Sequence, residues 1–520
     1  MNRWTMLAAV LALGACTPKK AAPPEPEVPS IAPTRPASAW SDRFCAMPVR
    51  DGRPTKADVD AAYRMVGEVR LIPGSDEPWI RPYNRGGEWT INAEGRYVPY
   101  PGPTPNALFD LEMVHEPSPD RVVGMRGDVV LARAAGAGAF APIAKLGDQT
   151  LPGGPVIRRI ADADLTLVLR KGQIHQVRGD AVAPWPEQES LKAAGVSGVI
   201  DIHDLPGLGA ALFEGQDGAL AVRYTDGAWR KAGRLRPERW RPDDRIVDVR
   251  PVPKAGVALI STYTDHLVLV LSPDAASSRR AAIVDVTGIH DEEQDPGGWW
   301  TVASPTTGDV IRFGRVRPSA PLGWQRLVDQ RFVPMDAPAW PASNPLARAY
   351  DLTGGEGLVI RGDDGLALYR RGALTPIPQS SKAELGRHPE VVRLASLDRT
   401  YVISDRGLFE LTAAGRLRKV DARFVTGGSL DLDIFELPQQ RLALVRAKDG
   451  LFTLDADGEV LRVRGGEGFA PANLPKLFGP FPVSGDVLIT DHNTLKLVVT
   501  PRSPRWKTCN AALAATAGRT

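Results

Sequence analysis

Residues 442–455 read LALVRAKDGLFTLD, and residues 400–412 read TYVISDRGLFELT. In each, a short apolar-rich run enters a polar turn that closes on a glycine, Gly450 or Gly407, and a second such run leaves it. Short apolar runs of this kind, bounded by Gly and Asp, read as β-hairpins. Seven more stretches share the plan: RVVGMRGDVVLARA (121–134), LTLVLRKGQIHQV (165–177), AALFEGQDGALAVRY (210–224), VALISTYTDHLVLVL (257–271), WWTVASPTTGDVIRF (299–313), GLVIRGDDGLALYR (357–370) and DVLITDHNTLKLVV (486–499). Their turns fall near Gly127, Gly172, Gly218, Asp265, Gly308, Gly365, Gly407, Gly450 and Asn493, at intervals of 45, 46, 47, 43, 57, 42, 43 and 43 residues.

A period of roughly 40 to 50 residues with several strands per repeat is the signature of a β-propeller. Most hairpins have a strand before them, such as Val391, Val392, Arg393 and Leu394, and several have one after, such as Leu417 to Val420. The fold expected is therefore all-β: a single propeller of about eight four-stranded blades, with seven or nine as alternatives. The long interval leaves room for an insertion around 334–345. The last unit has no evident fourth strand, so the ring is expected to close with strands from both termini, the N-terminal one near 88–91 or 97–100. Closure covers sheet edges that otherwise invite aggregation. Two helices are expected as covering elements, over 55–66 with Thr55 as N-cap and over 187–194.

The chain begins MNRWTMLAAVLALGAC. Arg3 gives a positive start, and the apolar stretch that follows falls short of the about 20 residues needed to cross a bilayer. It suits a signal peptide. Its end, Leu13-Gly14-Ala15-Cys16, resembles the bacterial lipobox. That resemblance implies acylation of Cys16, cleavage before it, and a partner in the lipid bilayer; Thr17 in place of Asp implies sorting to the outer membrane. The expected division is a signal peptide over 1–15, a lipidated cysteine and Pro-rich tether over 16–38, the propeller over 39–510 and a tail over 511–520. Prolines at 18, 23, 24, 26, 29, 33 and 36 make the tether an extended spacer.

Beyond Cys16 only Cys45 and Cys509 remain, near the two ends of the repeat region. In an oxidising envelope compartment two such cysteines are expected to pair, which requires the ends of the domain to meet. A net charge of +3 over 520 residues argues against a nucleic-acid partner and against a polybasic membrane surface.

Units such as DGLFTLDADGEVLRV (449–463) and RGLFELTAAGRLRKV (406–420) resemble quinoprotein-type and regulator-type propeller repeats. They are also similar to the propeller lipoproteins of the outer-membrane β-barrel assembly machinery, which are lipid-anchored, eight-bladed and not enzymes. The regularly placed tryptophans and adjacent cysteine pair of quinoprotein dehydrogenases are missing, so the resemblance implies architecture and no cofactor.

The seven histidines form no HExxH helix and no zinc-spaced cluster. The densest acidic run, 290–300, holds Asp291, Glu292, Glu293 and Asp295; it can ligate calcium or serve as a solvated loop, and it lacks EF-hand spacing. A basic run interleaves Trp229, Arg230, Arg239 and Trp240, which suits a polyanion or sugar, or a plain blade connection. The function expected is a non-catalytic binding or scaffold platform in the cell envelope, with another envelope protein or a glycan as partner. The alternatives are a propeller enzyme acting on a glycan or peptide, and a surface adhesion lipoprotein.

Overall fold

In the strand Val257–Thr262, Val257 and Leu259 pack to one side of their sheet and Ala258 and Ile260 to the other. Leu442 and Leu444 are divided in the same way from Ala443 and Val445. Successive side chains of a strand point to opposite faces, so a sheet that is apolar on both must be covered on both. Sheets standing radially in a ring meet that demand, because each faces a neighbour on either side. The computed structural model describes residues 40–51, 66–72, 75–82, 88–100, 112–116, 120–126, 128–134, 140–147, 156–170, 172–235, 245–262, 266–271, 281–284, 299–304, 306–314, 323–329, 331–335, 348–352, 354–355, 357–362, 365–386, 389–421, 432–447, 450–466, 476–490 and 495–517.

Among these residues the chain forms ten four-stranded antiparallel units, blades one to ten, at 66–99, 112–145, 156–184, 199–234, 246–284, 299–334, 348–376, 390–421, 433–464 and 476–499, the last with its fourth strand drawn from elsewhere. Ten apolar clusters lie between them, one at each junction of consecutive blades and one between blade ten and blade one. A fully buried Leu, Ile or Val contributes about 1.5–3 kcal/mol, so these junctions hold the ring. The chain folds as a β-propeller.

Ten blades exceed the eight or so expected; the nine hairpins read from the sequence mark blades two to ten, and blade one went unrecognised. Blade one has short strands, Pro78–Pro82 and Trp89–Ile91 among them, whose prolines interrupt the alternation that marks the other units. In blade six the recognised stretch 299–313 pairs the first and second strands, Trp299–Ala303 and Val310–Gly314, whereas the other eight stretches pair the second and third. That offset produces the long interval without an insertion between blades. Residues 336–347 lie outside the described residues, as do 1–39 and the expected helix up to residue 65, and Val66 opens a strand. The helix expected over 187–194 is present as Gln188–Ala193.

Several outer strands, among them Arg96–Pro99, Ala181–Pro184, Arg331–Pro334 and Ala373–Pro376, end on proline. In these four the next residue, Tyr100, Trp185, Met335 or Ile377, donates its N–H to a carbonyl at or beside the start of the third strand, over 2.8–3.0 Å. A proline at the edge has no N–H to offer a further strand.

Closure differs from the expectation in its strand. Residues 88–91 and 97–100 belong to blade one itself, and the closing strand is Trp40–Pro48. It runs antiparallel to Leu495–Val499 as the outermost strand of blade ten, with Cys45 opposite Val499 and Pro48 opposite Lys496. On its other side it lies parallel to Val460–Arg464 of blade nine, which merges the two blades into one eight-stranded sheet. The chain then continues to Arg50–Asp51, parallel to the outer strand of blade one. One segment thus stitches three blades together. Gly465 (φ +75°) makes room for it, since a Cβ there would collide with the Ala46 carbonyl oxygen.

A C-terminal helix, Trp506–Ala517, packs over this seam with Trp506 and Leu513 against the cluster shared by blades ten and one. The domain therefore extends past residue 510, where a tail was expected. A disulfide joins Cys45 on the closing strand to Cys509 on the helix, with their Cα atoms 6.3 Å apart. Just before the helix, Arg505 is 2% exposed; its Nη1 bonds Asp486 Oδ2 at 3.1 Å, while Nε and Nη2 donate to the carbonyls of Asn92 and Ile91 in blade one. Asp486 also accepts from Ser503 Oγ (2.6 Å) and the Thr500 N–H (2.9 Å). Burial pushes the Asp486 carboxyl up, against these bonds, which hold it down.

Removing one partner of a buried ion pair leaves the other without compensation and costs about 3–5 kcal/mol. Arg505→Met should therefore lower the unfolding free energy by about that amount, read from the denaturant midpoint. The deficit should shrink as the pH falls, because a protonated Asp486 needs no cation; a loss independent of pH would contradict the role given to the pair.

Candidate functional site

The innermost strand of each blade faces the axis of a propeller, and here those strands are rich in charge. Blade three offers Arg158 and Arg159 from VIRRI, blade four offers Asp201, His203 and Asp204 from VIDIHDL, and blade five offers Asp248 and Arg250 from IVDVRPV. In blade four Ile202 packs toward blade three and Leu205 toward blade five, both buried, while Asp201, His203 and Asp204 are partly buried.

Arg158 holds Asp201 with two bonds, Nε to Oδ1 at 3.0 Å and Nη2 to Oδ2 at 3.1 Å, and so links blade three to blade four. A bidentate guanidinium–carboxylate pair is geometrically specific as well as strong. His203 Nε2 lies 3.4 Å from Glu214 Oε2, and the other oxygen of Glu214 accepts the Ile246 N–H of blade five at 3.2 Å. Glu214 is 1% exposed. Blade four thus carries a histidine near a buried carboxylate and, two residues earlier on the same strand, one end of an arginine–carboxylate pair, groups whose hydrogen bonds suit a polar ligand. Sequence spacing did not reveal it, because Glu214 reaches His203 from the neighbouring strand across a register that only the sheet defines. Among the described residues, no three His, Cys, Asp or Glu side chains are arranged to hold a metal ion.

A second feature lies at the turns between first and second strands, where side chains of one blade hold the turns of the next. Ala161 N–H donates to Asp204 Oδ2 (3.1 Å) and Gly207 N–H to Asp162 Oδ2 (3.2 Å). Ser304 and Thr306 donate to Asp351, Gly354 N–H to Asp398, Ser396 N–H to Glu436, and the Val483 and Ser484 N–H groups to Asp76. These bonds tie blades three to four, six to seven, seven to eight, eight to nine, and ten to one. Burial raises the Asp204 carboxyl, the bond from Ala161 lowers it, and nearby Asp162 raises it again, leaving it above the usual range.

Of the candidates read from the sequence, Trp229 and Arg230 fall within the described residues. Trp229 packs its ring at 5.7 Å from Trp185 and 4.9 Å from Phe213, and its indole N–H donates to Glu187 Oε2 at 3.0 Å. Glu187 precedes the helix Gln188–Ala193 and also takes two bonds of 2.7 Å from Arg223. Burial raises the Glu187 carboxyl, but Arg223 and Trp229 outweigh it and hold the group below its ordinary value. Trp229 thus packs the helical connection into the wedge between blades three and four. Arg230 donates from Nη1 to the Trp229 carbonyl at 2.7 Å. Arg239, Trp240, Asp291, Glu292, Glu293, Asp295 and Cys16 lie outside the described residues.

No family model matches the chain, and no curated protein matches it. Similar solved structures include the extracellular domain of the putative one component system BT4673 from B. thetaiotaomicron, at 9% identity and TM-score 0.30, covering 89% of this chain and 68% of that one. A eukaryotic initiation factor gives 9% identity and TM-score 0.40 over 76% of this chain and 98% of the other. PorZ, a surface component of the type-IX secretion system of Porphyromonas gingivalis, gives 12% and 0.25, and this chain spans 82% of itself and 56% of PorZ in that match. The likeness is one of fold. No described helix is long and apolar enough to cross a membrane.

Asp204→Asn keeps an oxygen for the Ala161 N–H and removes the repulsion from Asp162. A folded-state pKa above the unfolded one means that stability is lost as pH rises through it. The variant should accordingly melt at or above the wild-type temperature at neutral pH, with a flatter pH dependence. A Tm several degrees lower would overturn this account of the turn.

Proposed function

We propose that the protein is a non-catalytic binding platform of the cell envelope, held at the outer membrane through an acylated Cys16 and presenting its propeller to another envelope protein or a glycan. The observation that carries this reading is the route of the chain into the ring. Trp40 enters at the outer rim, beside the outermost strand of blade nine, directly after the Pro-rich segment. A tether leaving from the rim keeps the two faces of the ring open to a partner, and a Pro-rich spacer holds them away from the bilayer. The rigid ladder of side chains holding neighbouring turns supports the same reading, since a preorganised surface loses little freedom on binding.

The second reading is an enzyme acting on a glycan or peptide, and His203 with Glu214 is the observation in its favour. Two experiments separate them. Cys16→Ala should move the protein from the membrane to the soluble fraction, and acyl chains should be found on the N-terminal peptide of the wild type by mass spectrometry; persistence of the variant in membranes would overturn the anchor. Crosslinking of the wild-type protein in intact cells should capture a stoichiometric partner whether or not His203 is replaced by Ala. Turnover of a cell-wall glycan or peptide by the purified protein, abolished by His203→Ala, would replace the platform with the enzyme.

A further inference from the structure

The segment from Trp40 to Asp51 has more attachments than ring closure needs. A propeller closes once its last blade gains a fourth strand, and the pairing of Cys45–Pro48 with blade ten supplies that. Here the same segment also pairs with blade nine before that point and with blade one after it. It carries a covalent bond as well, at Cys45, only five residues past the point where it enters the sheet.

The load path through that bond can be followed atom by atom. Cys509 sits in the first turns of the C-terminal helix, which begins one residue after Arg505. The Arg505 side chain is bonded to Asp486 of blade ten and to the Ile91 and Asn92 carbonyls of blade one. Tension arriving at Trp40 therefore passes at Cys45 from a hydrogen-bonded strand into the helix, and from there into two blades together. Without the bond, an edge-on pull opens a strand one hydrogen bond at a time, each worth only about 0.5–1.5 kcal/mol net. With it, peeling ends at Cys45. Both cysteines are fully buried, Cys509 on the helix and Cys45 on the strand it covers, so a reductant reaches them only when the seam opens.

We propose that Trp40–Asp51 is a load-bearing strap and that the Cys45–Cys509 bond is its stop, which keeps the ring closed when the tether is pulled against a bound partner. The source of the load rests on the reading of Cys16 as the anchor; the stop itself does not.

The test uses the full chain with one handle inserted in the Pro-rich spacer and a second in the exposed turn at Asp226, pulled apart in an optical trap. The oxidised protein should release only the chain ahead of Cys45 before a large rise in force. After reduction with dithiothreitol, which leaves two thiols and takes up the oxidation as its own ring disulfide, release should continue through Asp51 and be followed by opening of the ring. Hydrogen exchange on the same reduced protein should speed up at least tenfold in 40–51, 495–499 and 506–517, with blades three to eight still protected. Equal release before and after reduction would overturn the stop, and so would simultaneous loss of protection in every blade. Because the handle bypasses the lipid, a membrane-bound Cys16→Ala protein would remove the anchor and leave this result standing.

Discussion

Ten sheets make ten covered junctions only when the last sheet meets the first, and that meeting is the constraint on which the rest of this structure depends. Each blade is apolar on both faces, so a single open junction exposes two apolar surfaces at once. The region where blades nine, ten and one meet carries the heaviest reinforcement described: a strand that merges blades nine and ten and continues beside blade one, a disulfide, a docked helix and the buried Arg505–Asp486 pair. Other junctions rely on apolar packing with a few side chains set against neighbouring turns. The difference is physical. Consecutive blades are joined by the chain in order, whereas the first three strands of blade ten reach blade one through the closing strand Trp40–Pro48, which is held in blade ten by pairing and runs on to Arg50–Asp51 beside blade one.

The period of the repeat was plain in the sequence because it rests on turn chemistry, which is local. Gly172, Gly218, Gly365, Gly407 and Gly450 mark hairpins whose strands then appear where the alternation places them. The count of blades was less plain, because it depends on units that break the local rule. Blade one hides behind the prolines of its short strands, while blade six was visible but shows its alternation in a different pair of strands, which stretched the interval. The closing strand was misplaced for a related reason. Phe44 and Ala46 join Val498 and Ile489 on the face of blade ten turned to blade nine, and they do so only after nine blades have carried the chain around the ring.

The same division applies to the site. Cys45 and Cys509 pointed to a meeting of the chain ends by number alone, and the helix that carries one of them was not foreseen. The basic and aromatic run was visible as composition, but composition does not say which way a ring faces, and Trp229 turns inward to hold Glu187. His203 and Glu214 had no motif to announce them. They are neighbours because two strands of blade four are in one register and not the next.

The shared strand has a consequence for how the molecule is made. Its slot is bounded by Val460–Arg464 and Leu495–Val499, while its occupant is the first strand of the domain to be synthesised. Folding that follows synthesis must therefore keep Trp40–Pro48 waiting until the end of the repeat region has emerged, with two adjacent sheet edges vacant in the meantime. In that interval the slot cannot tell its own strand from the identical strand of a neighbouring molecule. At low concentration the local strand wins, because it is already on the same chain. A high local concentration of newly made chains shifts the balance toward chains threaded through one another, so the rate at which copies appear, as much as their sequence, decides whether separate rings or linked ones accumulate.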